Sequence, residues 1–192
     1  MIESKNLELI FTALDRQISV SSGARISLVV CGGTALAALQ LVARTTKDVD
    51  VLGSFKKGQI VKIGVFPEWL KAAAAKVERD FNLPADWLNL GPESQLDTGL
   101  PKGLLKRLVK KVYGNFLTIF FISRIDQIHF KLYASLDRGG YHVEDLFKLN
   151  PSEVELLAAS RWVLTQDVSV GFRMILISFL KKHGYEKLAG KI

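Results

Sequence analysis

The chain reads Cys31-Gly32-Gly33-Thr34-Ala35-Leu36 and, after a short apolar stretch, Arg44-Thr45-Thr46-Lys47-Asp48-Val49-Asp50-Val51-Leu52. Residues 26–30, just before the glycine pair, are apolar and rich in β-branched side chains, which predicts a buried strand. Residues 34–43 are rich in alanine and leucine and predict a helix. Valine and leucine surround two aspartates further on, so we expect a second strand over about 48–52. The region therefore predicts strand, tight turn, helix and strand.

Asp48 and Asp50 are the candidate metal ligands of this region. Alternation along a strand places both carboxylates on one face, about 7 Å apart. Two hard oxygen ligands at this spacing can share Mg²⁺, with phosphates and water completing the octahedron. Two like charges on one face repel each other, and a bound cation removes that cost. The alternative is that both acids simply mark a solvated strand end.

The glycine pair, Gly32 and Gly33, follows one predicted strand and opens a predicted helix. Glycine lets a ligand approach the backbone closely, and a helix N-terminus favours an anion. Thr34 adds a hydroxyl donor at the same end. The spacing matches neither a P-loop nor a dinucleotide fingerprint. A plain tight turn is the alternative interpretation of the two glycines.

Together, the Gly-Gly-Thr turn, the helix and the Asp-x-Asp pair resemble the DNA-polymerase-β-like nucleotidyltransferase superfamily, in particular its small bacterial branch, which includes toxins of abortive-infection type. The resemblance implies that Asp48 and Asp50 are the catalytic acids and bind Mg²⁺ or Mn²⁺. It also implies that the turn residues bind the triphosphate: Gly32, Gly33 and Thr34. Arg44 flanks the acids, where it either neutralises them or steers a nucleotide.

A second part of the resemblance lies in a predicted helical region. Phe130-Lys131-Leu132-Tyr133-Ala134, Asp137-Arg138 and Glu144-Asp145-Leu146 are similar to the branch's helical motif of lysine, arginine and an Asp-Leu pair. The resemblance implies that Lys131 faces the nucleotide phosphates, with Arg138 and Asp145 as possible site residues. The alternative is a structural salt bridge between Asp145 and either cation. The match as a whole covers residues 26–150.

The sequence departs from the family at the third carboxylate, which the family usually places on a neighbouring strand. The expected strand, residues 116–122, contains no acid, and Thr118 cannot act as a base. Asp126 lies nearby in sequence, but Ser123 and Asp126 also fit a helix capping box. The sequence therefore predicts either one-metal chemistry with a weak base or a degenerate relative without activity.

Composition restricts the class of protein and the kind of partner. The 192 residues are 48% apolar and 23% charged, which is ordinary for a globular protein and excludes disorder. One cysteine, Cys31, excludes an internal disulfide and a cysteine-based zinc cluster. The net charge of +7 favours an anionic partner. A basic run predicts either a solvated face or a nucleic-acid backbone contact: Lys102, Lys106, Arg107, Lys110 and Lys111.

One stretch raises the question of a membrane span. Residues 26–43 carry no charge, which is near the minimum length for a span. The glycine pair divides the stretch into two patterns, so strand, turn and helix explain it better. The first residues show no basic segment followed by an apolar run, so we expect no signal peptide. We therefore expect a cytoplasmic protein without a membrane partner.

The rest of the chain completes the predicted fold. Helices are expected over 5–20, 67–80, 123–138 and 169–182, with a further helix capped by Asn150 with Glu153 at its third position. Strands are expected over 108–113 and 116–122, joined at Gly114-Asn115. Residues 82–101 are expected to form a loop in which Trp87 either packs inside or covers a pocket. The pattern predicts an α/β (α+β) fold, a nucleotidyltransferase-like mixed sheet flanked by helices.

We expect a nucleotidyltransferase-like core over 1–122 and a helical C-terminal part over 123–192, packed on the core as one compact unit. The predicted function is Mg²⁺-dependent transfer of a nucleotidyl group from a nucleoside triphosphate to a hydroxyl of RNA, protein or a small molecule. The alternative is a degenerate module that binds nucleic acid or a protein partner. A role in a toxin–antitoxin system is a further interpretation.

Overall fold

The computed structural model describes Ile2 and residues 4–192. Met1 and Glu3, part of the N-terminal segment in which no signal peptide is expected, lie outside the described residues. The chain forms two compact units. The first contains the described residues up to Leu96 together with Gly103–Ser123, and the second contains Asp97–Lys102 and Arg124–Ile192.

A mixed six-stranded sheet forms the centre of the first unit. Its strands are β1 (Ile26–Cys31), β2 (Val49–Lys56), β3 (Gln59–Val61), β4 (Leu88–Asn89), β5 (Val109–Val112) and β6 (Leu117–Phe121). The order is β3-β2-β1-β6-β5, and β4 pairs with β2. β1 runs antiparallel to β2 and parallel to β6. The predicted strands are therefore present, and the central one carries the residues that precede the glycine pair.

The hairpin between β2 and β3 is a feature that the sequence analysis missed. Lys56 pairs with Gln59, so the loop consists of Lys57 and Gly58. Both have positive φ angles, 49° and 79°. Two positive φ angles in a two-residue loop are typical of a type I′ turn, whose twist matches the flanking strands. The strand after Val51 therefore continues to Lys56, beyond the predicted end at Leu52.

The helices described by the structure occur in both units. They are α1 (Ser4–Val20), α2 (Gly32–Ala38), α3 (Glu68–Phe81), α4 (Gln95–Thr98), α5 (Leu104–Arg107), α6 (Arg124–Asp137), α7 (Tyr141–Lys148), α8 (Glu153–Gln166), α9 (Val170–Lys182) and α10 (Glu186–Ala189). The predicted helices over 5–20, 67–80, 123–138 and 169–182 correspond to α1, α3, α6 and α9 with shifts of one residue at their ends.

The helix after the glycine pair is shorter than predicted. It begins at Gly32 and ends at Ala38, whereas the composition indicated residues 34–43. Gln40 adopts a left-handed φ of 55°, and the Leu41 N–H donates to the Leu36 carbonyl at 2.9 Å. This six-to-one bond is typical of a Schellman ending, which usually carries glycine or asparagine at the left-handed position. A glutamine there gives no sequence signal for the stop.

The core of the first unit lies between one face of the sheet and the helices α1 and α3. Fully buried side chains come from alternate positions of three strands: Leu28 and Val30, Val49 and Val51, and Leu117, Ile119 and Phe121. Helix α1 contributes the apolar stripe that its sequence spacing predicts, at Leu7, Ile10, Phe11, Leu14 and Ile18. The opposite face of the sheet carries the aspartate at position 50.

A buried carboxylate on α1 holds the hairpin between β5 and β6. Asp15 accepts hydrogen bonds from the backbone N–H groups of Phe116 at 2.8 Å and Leu117 at 2.7 Å. A Cβ atom at Gly114 would lie 2.1 Å from the Asp15 carboxylate, so glycine is needed for this close approach. The predicted Gly114-Asn115 turn is therefore confirmed, with a helix side chain as its support.

The second unit is made mainly of helices, and one of its caps differs from the prediction. Ser152, and not Asn150, is the N-cap of α8, and Glu155, and not Glu153, is the reciprocal partner of its capping box. Asn150 has a left-handed φ of 48°, which lets the chain turn from α7 towards this cap. The Arg124 guanidinium bonds to Glu155, which lowers the pKa of that carboxyl to about 2.

Within Ile2 and residues 4–192, no helix combines the length and the apolar character that crossing a bilayer requires. The uncharged stretch over 26–43 is divided between β1, α2 and the turns that follow. Its lack of charge is explained by burial, because Leu28, Val29, Val30, Ala35 and Leu36 are fully buried.

Candidate functional site

The two candidate motifs meet where β1 and β2 lie side by side. Cys31, the last residue of β1, pairs with Asp50, the second residue of β2. Because Gly32 follows Cys31 directly, this register places Asp50 beside the turn between β1 and α2. Val49 and Val51 are fully buried in the core, so Asp50 lies on the opposite face, as alternation predicts. Asp48 lies just before the strand, and both aspartates are half-buried.

The glycine pair makes room for side chains of the protein itself. Gly32 has a φ of 67°, and a Cβ atom there would lie 2.3 Å from Asp50 Oδ2. A Cβ atom at Gly33 would lie 2.8 Å from Thr46 Oγ1 and 3.4 Å from Arg44 Cζ. Glycine at both positions therefore allows the Asp50 carboxylate and the Arg44 guanidinium to lie against the turn.

Two threonine hydroxyls fix the backbone of Asp48. Thr34 Oγ1 donates to the Asp48 carbonyl at 2.6 Å, and Thr46 Oγ1 donates to the same oxygen at 3.1 Å. Thr34 is fully buried in the first turn of α2. In this structure the Thr34 hydroxyl therefore connects the glycine turn to the aspartate pair and gives Asp48 a defined position.

Arg44 lies in the segment between α2 and β2 and is half-buried. Its Nε donates to the Thr45 carbonyl at 3.0 Å, which holds the side chain close to its own backbone. The guanidinium carbon is near Gly33, so its positive charge is placed at the turn and not in bulk solvent. Arg44 thus supplies a cation beside Gly33 of the glycine turn.

Asn89 is a polar residue of the site that the sequence analysis did not single out. It lies on β4, which runs parallel to β2 with Asn89 paired to Asp50. Residues paired in parallel strands have side chains on the same face, with neighbouring strands about 4.8 Å apart. Residues 82–101 were predicted to be a loop because they contain several glycines and prolines. A strand of two residues is too short to show alternation.

Trp87 explains why β4 forms at that place. The side chain is 1% exposed, and its Nε1 donates to the Ala74 carbonyl on α3 at 3.1 Å. The Trp87 carbonyl in turn accepts from the Val49 N–H at 2.5 Å, which starts the pairing with β2. The packing interpretation of this tryptophan is therefore confirmed, and the pocket-covering alternative is wrong.

The strand that the family resemblance links to a third carboxylate is β6. It runs beside β1, with Phe120 paired to Val29, and Phe120 shares the face of Asp50. The Phe120 ring lies 4.3 Å from that of Phe55 on β2, measured between centroids. An aromatic pair thus crosses the central strand on this face, and Thr118 is the other half-buried residue of β6 there.

The residues of the basic run lie on several different elements of the fold. On β5, Lys110 pairs with Phe120 and lies on the face of Asp50, whereas Lys111 pairs with Ile119 on the core side. Lys111 forms an ion pair with Glu8 and lies 5.7 Å from the Tyr113 ring centroid. Lys106 and Arg107 end the short helix α5 in the same unit. Lys102 belongs to the second unit.

Lys131 and Asp145 form a buried ion pair in the second unit. Lys131 Nζ lies 2.8 Å from Asp145 Oδ2, and the side chains are 5% and 4% exposed. The structural salt bridge that the sequence analysis left open is therefore present, between α6 and α7. Arg138 is exposed and lies near Asp137, with 3.4 Å between Nε and Oδ2. Asp126, in the first turn of α6, is fully buried.

The donor set at Asp48 and Asp50 consists of carboxylates, which are compatible in their chemistry with a magnesium ion. Magnesium in proteins commonly uses one or two carboxylates and takes its remaining ligands from water and phosphate. Asp48 and Asp50 supply hard oxygen ligands, and both are accessible in part. Among the described residues, no group of three or more His, Cys, Asp or Glu side chains is arranged to hold a metal. Water and phosphate oxygens would therefore complete the coordination.

The packing around Gly33 leads to a stability prediction. Gly33→Ala is expected to destabilise the protein by about 1–3 kcal/mol, because the new methyl group would lie too close to Thr46. Denaturant unfolding measures the loss. Gly171→Ala is the matched control, because a Cβ atom there meets nothing within 4 Å, and alanine in helix α9 should leave stability equal or higher. Equal stability of the Gly33→Ala and wild-type proteins would contradict the observed packing.

The chain was compared with protein-family models, with curated proteins and with solved structures, and none of the three comparisons gives a match. The resemblance to nucleotidyltransferases thus stays a prediction from the residues named above. The geometry of the Gly32–Asp50 contact is the structural observation on which a functional proposal can be built.

Proposed function

We propose that the protein is a Mg²⁺-dependent nucleotidyltransferase that binds a nucleoside triphosphate and transfers its nucleotidyl group to a hydroxyl acceptor. The observation that carries the proposal is the pairing of Cys31 with Asp50, which brings the Asp50 carboxylate of the Asp-x-Asp pair against Gly32 of the glycine turn. The turn requires two glycines, and the two half-buried carboxylates repel each other. Without a ligand, both features lower the stability of the fold. A metal ion bound together with a nucleoside triphosphate would contact both the carboxylates and the glycine turn.

Each residue of the site has a proposed task. Asp48 and Asp50 would hold the metal ion, which when bound offsets the negative charge of the phosphate oxygens. Arg44 would add a second positive charge beside Gly33, and Thr34 would keep Asp48 in position. We further propose that the protein acts in the cytoplasm, where nucleoside triphosphates are available.

The reaction would displace pyrophosphate from the α-phosphorus. A new bond forms between the acceptor oxygen and phosphorus, and the bond from phosphorus to the pyrophosphate oxygen breaks with its electron pair. The acceptor hydroxyl loses a proton, and β6 contains no carboxylate to accept it. We therefore propose that water takes this proton, and that turnover is slow because general-base assistance is typically worth about 10²–10⁴-fold.

A second candidate function is a nucleotidyltransferase-like module that binds without catalysis. The specific observation in its favour is the Phe55–Phe120 pair, which places aromatic rings on the sheet face shared with Asp50. Such a module would bind nucleic acid or a protein partner, and it would be compatible with one component of a toxin–antitoxin pair.

Loss of both carboxylates gives the main test. The double variant Asp48→Asn/Asp50→Asn is expected to bind the Mn²⁺–nucleotide complex at least about tenfold more weakly, since metal ligation is lost. Titration calorimetry with each of the four nucleotides measures the affinity. Asp86→Asn is the control for loss of a carboxylate charge elsewhere, because Asp86 is exposed and has a left-handed φ that asparagine adopts equally well.

Equal affinity in the double variant and the wild type would rule out the proposed metal site. A labelled-nucleotide transfer assay separates the two candidate functions. Binding that depends on the aspartates, without transfer to any of a broad panel of hydroxyl acceptors, would favour the binding module over the enzyme.

A further inference from the structure

Asn89 is held beside Asp50 by three features of the fold. Trp87 anchors the segment in the core, Leu88 pairs with Val49, and Asn89 pairs with Asp50. Leu88 and Val49 are buried on the core side, so Asn89 and Asp50 share the opposite face. Asn89 and Asp50 are both half-buried.

The orientation of the Asn89 amide is set by one hydrogen bond. Its Oδ1 accepts from the Gly91 N–H at 2.9 Å. An amide has one oxygen acceptor and one nitrogen with two donor hydrogens, so this bond assigns the positions of Oδ1 and Nδ2. The Nδ2 donor group is therefore on the side of the amide that is turned away from Gly91.

We propose that Asn89 is a ligand-binding residue of the site, whose Nδ2 group donates to a phosphate oxygen of the metal-bound nucleotide. This inference rests on the proposed function. Asp50 can only accept hydrogen bonds or coordinate a cation, whereas the Asn89 amide offers donors and carries no charge. The two paired residues thus have different roles: the Asp50 carboxylate binds the metal, and the Asn89 amide binds the phosphate that accompanies it.

The neutral amide is the informative choice at this position. A third carboxylate beside Asp50 would improve binding of a bare cation, because another hard oxygen ligand would be supplied. The same carboxylate would repel the negatively charged phosphates and would remove the donor. Replacement of Asn89 by aspartate is thus expected to raise the affinity for the bare cation and to lower the affinity for the cation–nucleotide complex.

The experiment measures Mn²⁺ alone and the Mn²⁺–ATP complex on Asn89→Asp and Asn89→Ala. For Asn89→Asp, Mn²⁺ alone should bind about tenfold more tightly and the complex about tenfold more weakly. For Asn89→Ala, the complex should bind about tenfold more weakly while the affinity for Mn²⁺ alone stays unchanged. Electron paramagnetic resonance reports free Mn²⁺, and calorimetry reports the complex.

Asn115→Asp is the matched control for the added charge. Asn115 is exposed in the turn before β6, at the end of the sheet opposite Cys31 and Asp50, so both affinities should equal those of the wild type. The free energy of unfolding is measured for every variant, since a purely structural Asn89 would change stability and leave both affinities unaltered.

The outcomes separate this inference from the proposed function. If the wild type binds Mn²⁺–ATP through Asp48 and Asp50 but both Asn89 variants bind it equally well, the inference about Asn89 is overturned and the proposed function stands. If the wild type itself does not bind the complex, the proposed function fails and the inference fails with it. Opposite shifts in Asn89→Asp support the inference.

Discussion

Lys131→Met is expected to lower the free energy of unfolding by about 3–5 kcal/mol. Lys131 Nζ and Asp145 Oδ2 lie 2.8 Å apart with almost no exposure, and removal of the ammonium takes away the cation that faces the buried carboxylate. Methionine keeps most of the length and the apolar stem of lysine, so the loss reflects the charge and not a cavity. Urea unfolding followed by circular dichroism measures it.

The double variant Lys131→Met/Asp145→Leu provides the control for this interpretation. A buried ion pair replaced by two apolar residues often costs little, so the double variant should be more stable than Lys131→Met alone. A single variant with unchanged stability and a weakened affinity for nucleotide would contradict the structural role and favour the phosphate-facing role that the family resemblance implies for Lys131.

Trp87→Ala is expected to cost about 3–5 kcal/mol, because a large core side chain is removed and leaves a cavity. The indole is almost fully buried, and its hydrogen bond to the Ala74 carbonyl is lost as well. Since this residue anchors β4, the variant should also weaken the Mn²⁺–nucleotide complex under conditions where it stays folded. Chemical unfolding and calorimetry measure the two effects.

The same substitution at Trp69 tests whether burial explains the effect. Trp69 lies on α3 and is half-buried, so Trp69→Ala should cost clearly less than Trp87→Ala. Trp87→Phe, which keeps an aromatic ring in the core, should fall between the wild type and the alanine variant. Equal losses in the free energy of unfolding for the two alanine variants would show that the buried Trp87 contacts do not add the expected stability.

The sequence predicted those elements whose pattern is long or whose ends carry a strong signal. The helical patterns over 5–20 and 67–80 predicted α1 and α3, and Gly114-Asn115 predicted the hairpin. The short strands β3 and β4 were missed because three and two residues show no alternation. The predicted N-cap of α8 was two residues too early, because Asn150 and Ser152 are both good N-cap residues and only the backbone conformation distinguishes them.

The candidate site was predictable where it depends on neighbours in sequence. The family resemblance implied that Gly32 and Asp50 belong to one site, and antiparallel pairing of β1 with β2 brings them into contact. Asn89 was not predictable, because its place beside Asp50 follows from the burial of Trp87 against α3. Contacts made across the core leave no local pattern in the sequence.

The support that Asp15 gives to the β5–β6 hairpin has a consequence for biosynthesis. Asp15 and Phe116 are separated by 101 positions, and the central strand β1 has β6 as one of its two neighbours. The sheet therefore cannot be completed until residues beyond 117 have left the ribosome. Until then β1 has an open edge, and contacts that are so distant in sequence form slowly. During this interval the nascent chain is most exposed to aggregation and most dependent on chaperones.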